Sequence, residues 1–299
     1  MIINLRKKIL LQNMLLLSFL TISSSLFAQS YLPASSGQII EHSYFTLAYA
    51  EEHEQAEWVY YLLSPETLAG DASRGDNFRE DPKVATGSAT LNDYKASGYD
   101  RGHLCPAASM SRNDVAMSES FYLSNMSPQL PSFNRGGWKR LEERVRDLAL
   151  RDSVLHVITG PILADSLGTI GENCVTIPSR YYKVLYSPKK RAMIGYVMAN
   201  TKVDGALEEY AVSVDFVEQL TSIDFFAEMS EELEAYESAF DSSMWLVEGE
   251  AITVTVSEGV DEPNDEEQSN QCQGVTSSGA RCKRAAQSGS RYCWQHQKN

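Results

Sequence analysis

Three short stretches between Asn77 and Glu142 concentrate residue types that do chemistry. They are Asp100-Arg101-Gly102-His103, Phe121-Tyr122-Leu123-Ser124-Asn125-Met126-Ser127-Pro128-Gln129, and Asn134-Arg135-Gly136-Gly137-Trp138-Lys139-Arg140-Leu141-Glu142. An imidazole titrates near neutrality, so His103, one of five His, suits a general base that takes a proton from water. Asp100 and Arg101 beside it can orient it and hold an anion nearby. Asn134 stands where a helix opens, so its amide oxygen can face a hard cation. Glu142 follows eight residues later, and at ~100° per residue it returns to within about 80° of the same face, two turns on. Mg2+ prefers oxygen ligands and keeps several waters, so one direct amide oxygen and a carboxylate acting through water are enough. Base, cation and arginine are the parts needed to hydrolyse a phosphodiester. Each residue also has a plainer reading: a structural His103, Asn134 as a helix cap, Glu142 paired with Lys139 or Arg146, and Trp138 as a core residue. Their joint occurrence favours the chemical reading.

The elements that must position these residues follow from hydrophobic periodicity. β-branched and aromatic runs predict strands at 44–50, 57–63, 154–160, 181–186, 192–200 and 210–216. A helix is predicted over 134–151, where Trp138, Leu141, Val145 and Leu148 form an apolar stripe with arginines and Lys139 around it. A second is predicted over 224–240, with Phe225, Phe226, Met229 and Leu233 inward. Strands and helices do not alternate regularly, so the expected class is α+β, an antiparallel or mixed sheet with helices packed on it. No Gly-x-Gly-x-x-Gly or Walker-type loop occurs, and no internal repeat.

Taken in order, Asp-Arg-Gly-His, Tyr-Leu-Ser-Asn-Met-Ser-Pro-Gln and Asn-Arg-Gly-Gly-Trp-x-x-Leu-Glu closely resemble the DNA/RNA non-specific endonuclease family. The resemblance extends to Asn77-Phe78-Arg79-Glu80-Asp81-Pro82, Gly98-Tyr99, Val214-Asp215 through Glu218 and Asp224-Phe225-Phe226, covering roughly 44–245. It implies a ββα-metal (His-Me finger) nuclease with a central antiparallel sheet and packed helices. It also implies His103 as general base, Asn134 as direct Mg2+ ligand with Mn2+ as the alternative ion, and Glu142 as a partner of the metal's water. Arg101 would contact phosphate or stabilise charge in the transition state, Arg135 would assist substrate binding, and Asn125 would support the site. An upstream arginine is also expected, and Arg74 and Arg79 both stand near enough to supply it. The implied reaction is hydrolysis of DNA and RNA to 5′-phosphate and 3′-hydroxyl ends.

Charge bears on whether such a chain can meet a polyanion. The 299 residues carry −14 overall, which excludes a basic wrapper of the histone kind. Residues 29–257 carry −16, yet 101–151 hold eight bases against five acids, a local strip able to bind phosphate while remote acids are screened. The ends differ from this body. Residues 1–28 place Arg6, Lys7 and Lys8 before an apolar stretch and end Phe-Ala, which reads as a signal peptide cut after Ala28 and predicts a secreted or periplasmic protein without stable membrane insertion. An uncleaved anchor is the alternative, weakened by Gln12 and Asn13. Residues 257–270 read as an acidic linker. Beyond it, Cys272, Cys282, Cys293 and His296 make a complete Cys3His shell for Zn2+ in a small module with almost no core; a disulfide plus a spare thiol is the alternative reading. Cys105 and Cys174 are either a disulfide or two independent buried thiols. The domains expected are therefore the signal at 1–28, the nuclease at 29–256, the linker, and the Cys/His module at 271–299. Two competing readings are a catalytically silent relative that only binds, and a zinc-dependent interaction protein with the body as scaffold.

Overall fold

The computed structural model describes residues 31–227 and 231–247. Along them run β1 (Gln38–Glu41), β2 (Thr46–Ala50), β3 (Gln55–Leu63), the short helices α1 (Pro65–Leu68) and α2 (Leu91–Tyr94), β4 (Asp100–His103), α3 (Asp114–Glu119) and β5 (Met126–Gln129). A wide π-helical turn, Phe133–Trp138, leads into α4 (Lys139–Asp152). The chain continues through β6 (Leu155–Pro161), β7 (Ser166–Ile170), β8 (Val175–Pro178), β9 (Arg180–Ser187), β10 (Ala192–Ala199), β11 (Ala211–Val212), α5 (Val214–Thr221) and α6 (Glu231–Ser238).

Seven strands form one sheet in the order β1-β2-β3-β6-β9-β10-β11, every neighbouring pair antiparallel. Both faces of this sheet are covered, so its central strands are apolar almost throughout instead of alternating with polar residues. Leu47, Val59, Tyr61, Val157, Tyr181 and Leu185 face one side, where Trp138, Leu141, Val145 and Leu148 of the α4 stripe complete a core. Ala48, Trp58, Tyr60, Ile158, Tyr182 and Val184 face the other, closed by Val214, Val217, Phe225 and Phe226. The helix stripe read from the sequence is thus the surface that fixes α4 to the sheet.

A separate two-stranded ribbon carries Asp100, Arg101 and His103. β4 pairs antiparallel with β5, Asp100 opposite Gln129 and His103 opposite Met126. Because α4 follows β5 directly after the wide turn, ribbon and helix form one ββα unit whose helix is anchored in the main core.

Three expected elements differ. The segment 210–216 is strand only at Ala211–Val212; Ser213 then caps α5, its side chain accepting the Phe216 N–H. The helix expected over 134–151 is not continuous, since Gly136 leaves helical geometry at φ −108°, ψ −109° and regular helix begins at Lys139. Only Glu231–Ser238 of the helix expected over 224–240 is helical among the described residues; Phe225 and Phe226 are buried from a turn in which Phe226 has φ 59°. Neither Cys105 nor Cys174 is in a disulfide, and they are not both buried: Cys105 lies in the core and Cys174 is exposed. The signal at 1–28, the linker at 257–270 and the zinc ligands Cys272, Cys282, Cys293 and His296 lie outside the described residues. Among the described residues no helix is long and apolar enough to cross a membrane.

Candidate active site

His103 ends β4 with its ring wedged between two phenylalanines, edge-on to Phe121 at 5.0 Å between centroids and tilted against Phe78 at 5.7 Å. Each phenylalanine carries an arginine on its other contacts: the Arg101 guanidinium lies 4.1 Å from the Phe78 centroid and that of Arg74 lies 5.3 Å from Phe121. Burial, then the charges of Arg74 and Arg101, pull the His103 pKa down to about 3. The imidazole is therefore neutral at pH 7, and its buried Nε2 has no partner among the described residues. A neutral ring with an unused nitrogen between two cations can accept a proton beside an anion.

The strand that holds His103 demands glycine at 102. A Cβ there would sit 2.2 Å from Gln129 Cδ, because the Gln129 side chain lies flat across the ribbon. The loop after His103 is fastened by Asn125. Its Oδ1 accepts from the Cys105 N–H (2.8 Å), and its Nδ2 donates to the carbonyls of Cys105 (3.0 Å) and Ser120 (2.8 Å). All its polar atoms are spent on backbone, so Asn125 fixes the geometry of the site without facing it.

Asn134 and Asp100 meet across the unit. Asn134 Nδ2 donates to Asp100 Oδ2 at 2.9 Å, and Arg135 closes a two-point contact on the same carboxylate at 2.8 and 2.6 Å. Partial burial would raise the Asp100 pKa, but hydrogen bonds from Arg135 and Asn134 hold it below the usual carboxylate value. Asp100 thus makes no hydrogen bond to His103 among the described residues; it orients Asn134, and Arg135 is committed to it. With its amide nitrogen used, Asn134 keeps Oδ1 as its unengaged atom. Glu142, half-buried on α4, makes no hydrogen bond or ion pair among the described residues. Burial raises its pKa, opposed by Lys183, Arg146 and Arg74. Lys139 pairs instead with Glu143. A free amide oxygen and a free carboxylate are the donor set a hydrated hard cation takes, so the residues fit such an ion. The other carboxylate cluster, Asp215 and Glu218 with Glu237, belongs to α5 and α6, and Glu218 there accepts the Phe225 N–H.

The two upstream arginines part company. Arg79 stacks 3.9 Å over Tyr122 and donates to the carbonyls of Asn77 and Ser118, whereas Arg74 lies by Phe121 and acts electrostatically on both His103 and Glu142. Arg74 is the one at the site. The basic strip is also narrower than its count suggests. Arg140 is held by carbonyls of Val203 and Gly205, Arg144 by Glu208, and Arg151 by Asp152. Arg74, Arg101, Arg112 and Arg146 form no ion pair among the described residues.

Three residues near the site had no chemical role in the sequence reading. Lys183 is fully buried, donating to Thr159 Oγ1 (2.5 Å) and Tyr61 (3.3 Å) beneath the Trp138 ring. Arg146 has a buried Nη1 with no partner, and Gln129 is buried with both amide atoms unpaired. A lysine inside the run Tyr181-Tyr182-Lys183-Val184-Leu185 was the one visible signal, since buried lysine needs a reason.

With this geometry, comparison with known proteins is decisive. The profile of the DNA/RNA non-specific endonuclease family matches residues 22–232. The chain belongs to that family. Human mitochondrial endonuclease G is 37% identical over 205 residues, 63% of this chain and 69% of that protein. Nuclease C1 of Cunninghamella echinulata var. echinulata is 33% identical over 213 residues, 65% of this chain and 84% of that one. A solved EndoG/EndoGI complex superposes with TM-score 0.61 at 30% identity, covering 66% of this chain and 88% of the other. The ββα unit is therefore the ββα-metal fold of a metal-dependent nuclease family, and the enzyme acts on nucleic acid. The family match begins inside the segment read as a signal peptide and ends at 232, short of the boundary expected at 256.

Proposed function

We propose that the protein is an exported, Mg2+-dependent endonuclease that hydrolyses DNA and RNA without sequence preference and leaves 5′-phosphate ends. The observation that carries this reading is a neutral, buried His103 with an unused Nε2, flanked by the unpaired charges of Arg74 and Arg101. The arginines hold the scissile phosphate. His103 takes a proton from the attacking water as the new O–P bond forms and the bond to the 3′ oxygen breaks. Burial depresses the imidazole most and the two guanidiniums add to it; the phosphate's negative charge offsets the guanidiniums, so His103 becomes a stronger base once substrate is bound. Asn134 Oδ1, with Glu142 acting through water, would hold Mg2+, which when bound supplies Lewis-acid stabilisation of charge on the phosphate and the departing oxygen. Attack by water needs no 2′-hydroxyl, which supports action on both polymers. Unpaired arginines beside a strongly acidic body favour salt-sensitive contacts to backbone phosphate over base readout. The basic and then apolar N-terminal residues support export with cleavage after Ala28.

The test is the chemistry of the ends. Fragments from a brief, partial digest of duplex DNA with Mg2+, blunted by a polymerase, should be joined by DNA ligase without prior kinase treatment. Fragments that ligate only after 3′-phosphate removal and 5′ phosphorylation would refute the water-attack mechanism.

A further inference from the structure

Immediately upstream of the Asp-Arg-Gly-His strand, α2 and the chain that follows it border an open cleft of about 320 Å3. It begins where the His103 site ends, since Arg101 lines it and also contributes charge at His103. Its other walls include Tyr94, Lys95, Tyr99 and Asp100. Four features mark it as a built site. Asp93 ties the turn down by accepting from Thr90 N (2.7 Å) and Oγ1 (2.8 Å) and from Asn173 N (3.1 Å) and Nδ2 (2.9 Å). Tyr94 is 5% exposed, and its hydroxyl has no partner among the described residues. Lys95 is exposed and makes no ion pair among the described residues. The carboxylate of Asp100 is already neutralised by Arg135, so it does not repel an anion.

We propose that this cleft is a subsite for the nucleotide adjoining the scissile phosphodiester on the same strand. The proposal rests on the nuclease reading above. Tyr99 offers aromatic surface to the base. Lys95 and Arg101 bracket the phosphates on either side of that nucleotide. Its volume suits one nucleotide and no more. The enzyme therefore grips a strand beyond the bond it cuts, without reading its sequence.

The experiment uses the full chain with Mg2+ and two substrates. One is a 12-nucleotide single-stranded DNA; the other is methyl p-nitrophenyl phosphate, which carries the reacting diester without sugar, base or neighbouring phosphate. Lys95→Ala alters an exposed side chain, and Tyr99→Leu keeps an apolar one. Each should raise KM for the oligonucleotide roughly tenfold with little change in kcat, and leave hydrolysis of the small diester unchanged. Lys95→Ala should also flatten the salt dependence of oligonucleotide cleavage. An unchanged oligonucleotide KM in both variants, or equal losses on both substrates, would overturn the subsite. Wild type inactive on both substrates would overturn the nuclease reading, and the subsite with it.

Discussion

At His103 a buried imidazole is kept neutral by its surroundings, and that neutrality has a cost in acid. Folded protein holds His103 uncharged down to about pH 3 and His156, which accepts or donates with the Tyr60 hydroxyl beneath Tyr31, down to about 4. The unfolded chain takes up both protons near pH 6.5. Stability from these groups is therefore complete above about 6.5 and is lost as the pH falls toward 4, by about 3 kcal/mol for His156 alone. In His156→Gln the fall in Tm between pH 7 and pH 4.5 should be shallower than in wild type; an identical slope would show that His156 contributes nothing to the acid sensitivity. The arginines give a second prediction. Arg74→Ala should lower kcat/KM about 10- to 100-fold with an unchanged Tm, whereas Arg79→Ala should lower Tm and leave kcat/KM of the folded fraction near wild type. Steady-state kinetics beside thermal melts separate them, and the reverse pattern would place Arg79 at the site. Asn125→Ala leaves three backbone groups around residues 105 and 120 unpaired and should cost about 1–3 kcal/mol by urea unfolding.

At the scale of elements, the ββα unit works because strand, turn and helix are fitted at glycine. Gly102→Ala would drive a methyl into Gln129, so the ribbon should open and both stability and activity should drop, the former by about 1–3 kcal/mol. A Gly102→Ala enzyme with wild-type Tm and rate would show that the close contact is dispensable. The unit was readable in the sequence because its parts fall in one short stretch: His103, Asn134 and Glu142 lie within 40 residues, and the Trp138-Leu141-Val145-Leu148 stripe announces the helix that anchors them. What was not readable depends on residues far along the chain. The choice of Arg74 over Arg79 is made by Ser118, which captures Arg79 some 40 positions away. Lys183 lies beneath Trp138 because β9 passes under the start of α4. Tyr210, Val212 and Val214 alternate as a strand would, yet Ser213 ends the strand by capping a helix. Phe225 and Phe226 have helical company in sequence, but one left-handed residue lets a turn bury them both.

The whole molecule presents an acidic body in which most arginines near the ββα unit are consumed by carbonyls and acids of the fold, and in the proposed function the few unpaired ones meet the polyanion. Rate should accordingly fall steeply with added salt. The ββα unit runs from β4 to the end of α4, well before residues 271–299, so a chain ending at Asn270 should keep wild-type nuclease activity. Loss of activity would favour an essential role for the Cys/His segment. In the proposed mechanism everything turns on His103 as the base of a metal-dependent nuclease. The most direct test incubates residues 29–299, wild type and His103→Ala, with supercoiled plasmid and with RNA, in Mg2+ and in EDTA. The expected result is degradation of both polymers by wild type in Mg2+ only, reduced by about 100-fold or more in His103→Ala of unchanged Tm. Wild type that leaves both polymers intact in Mg2+, or a His103→Ala enzyme that cuts as fast as wild type, would contradict it.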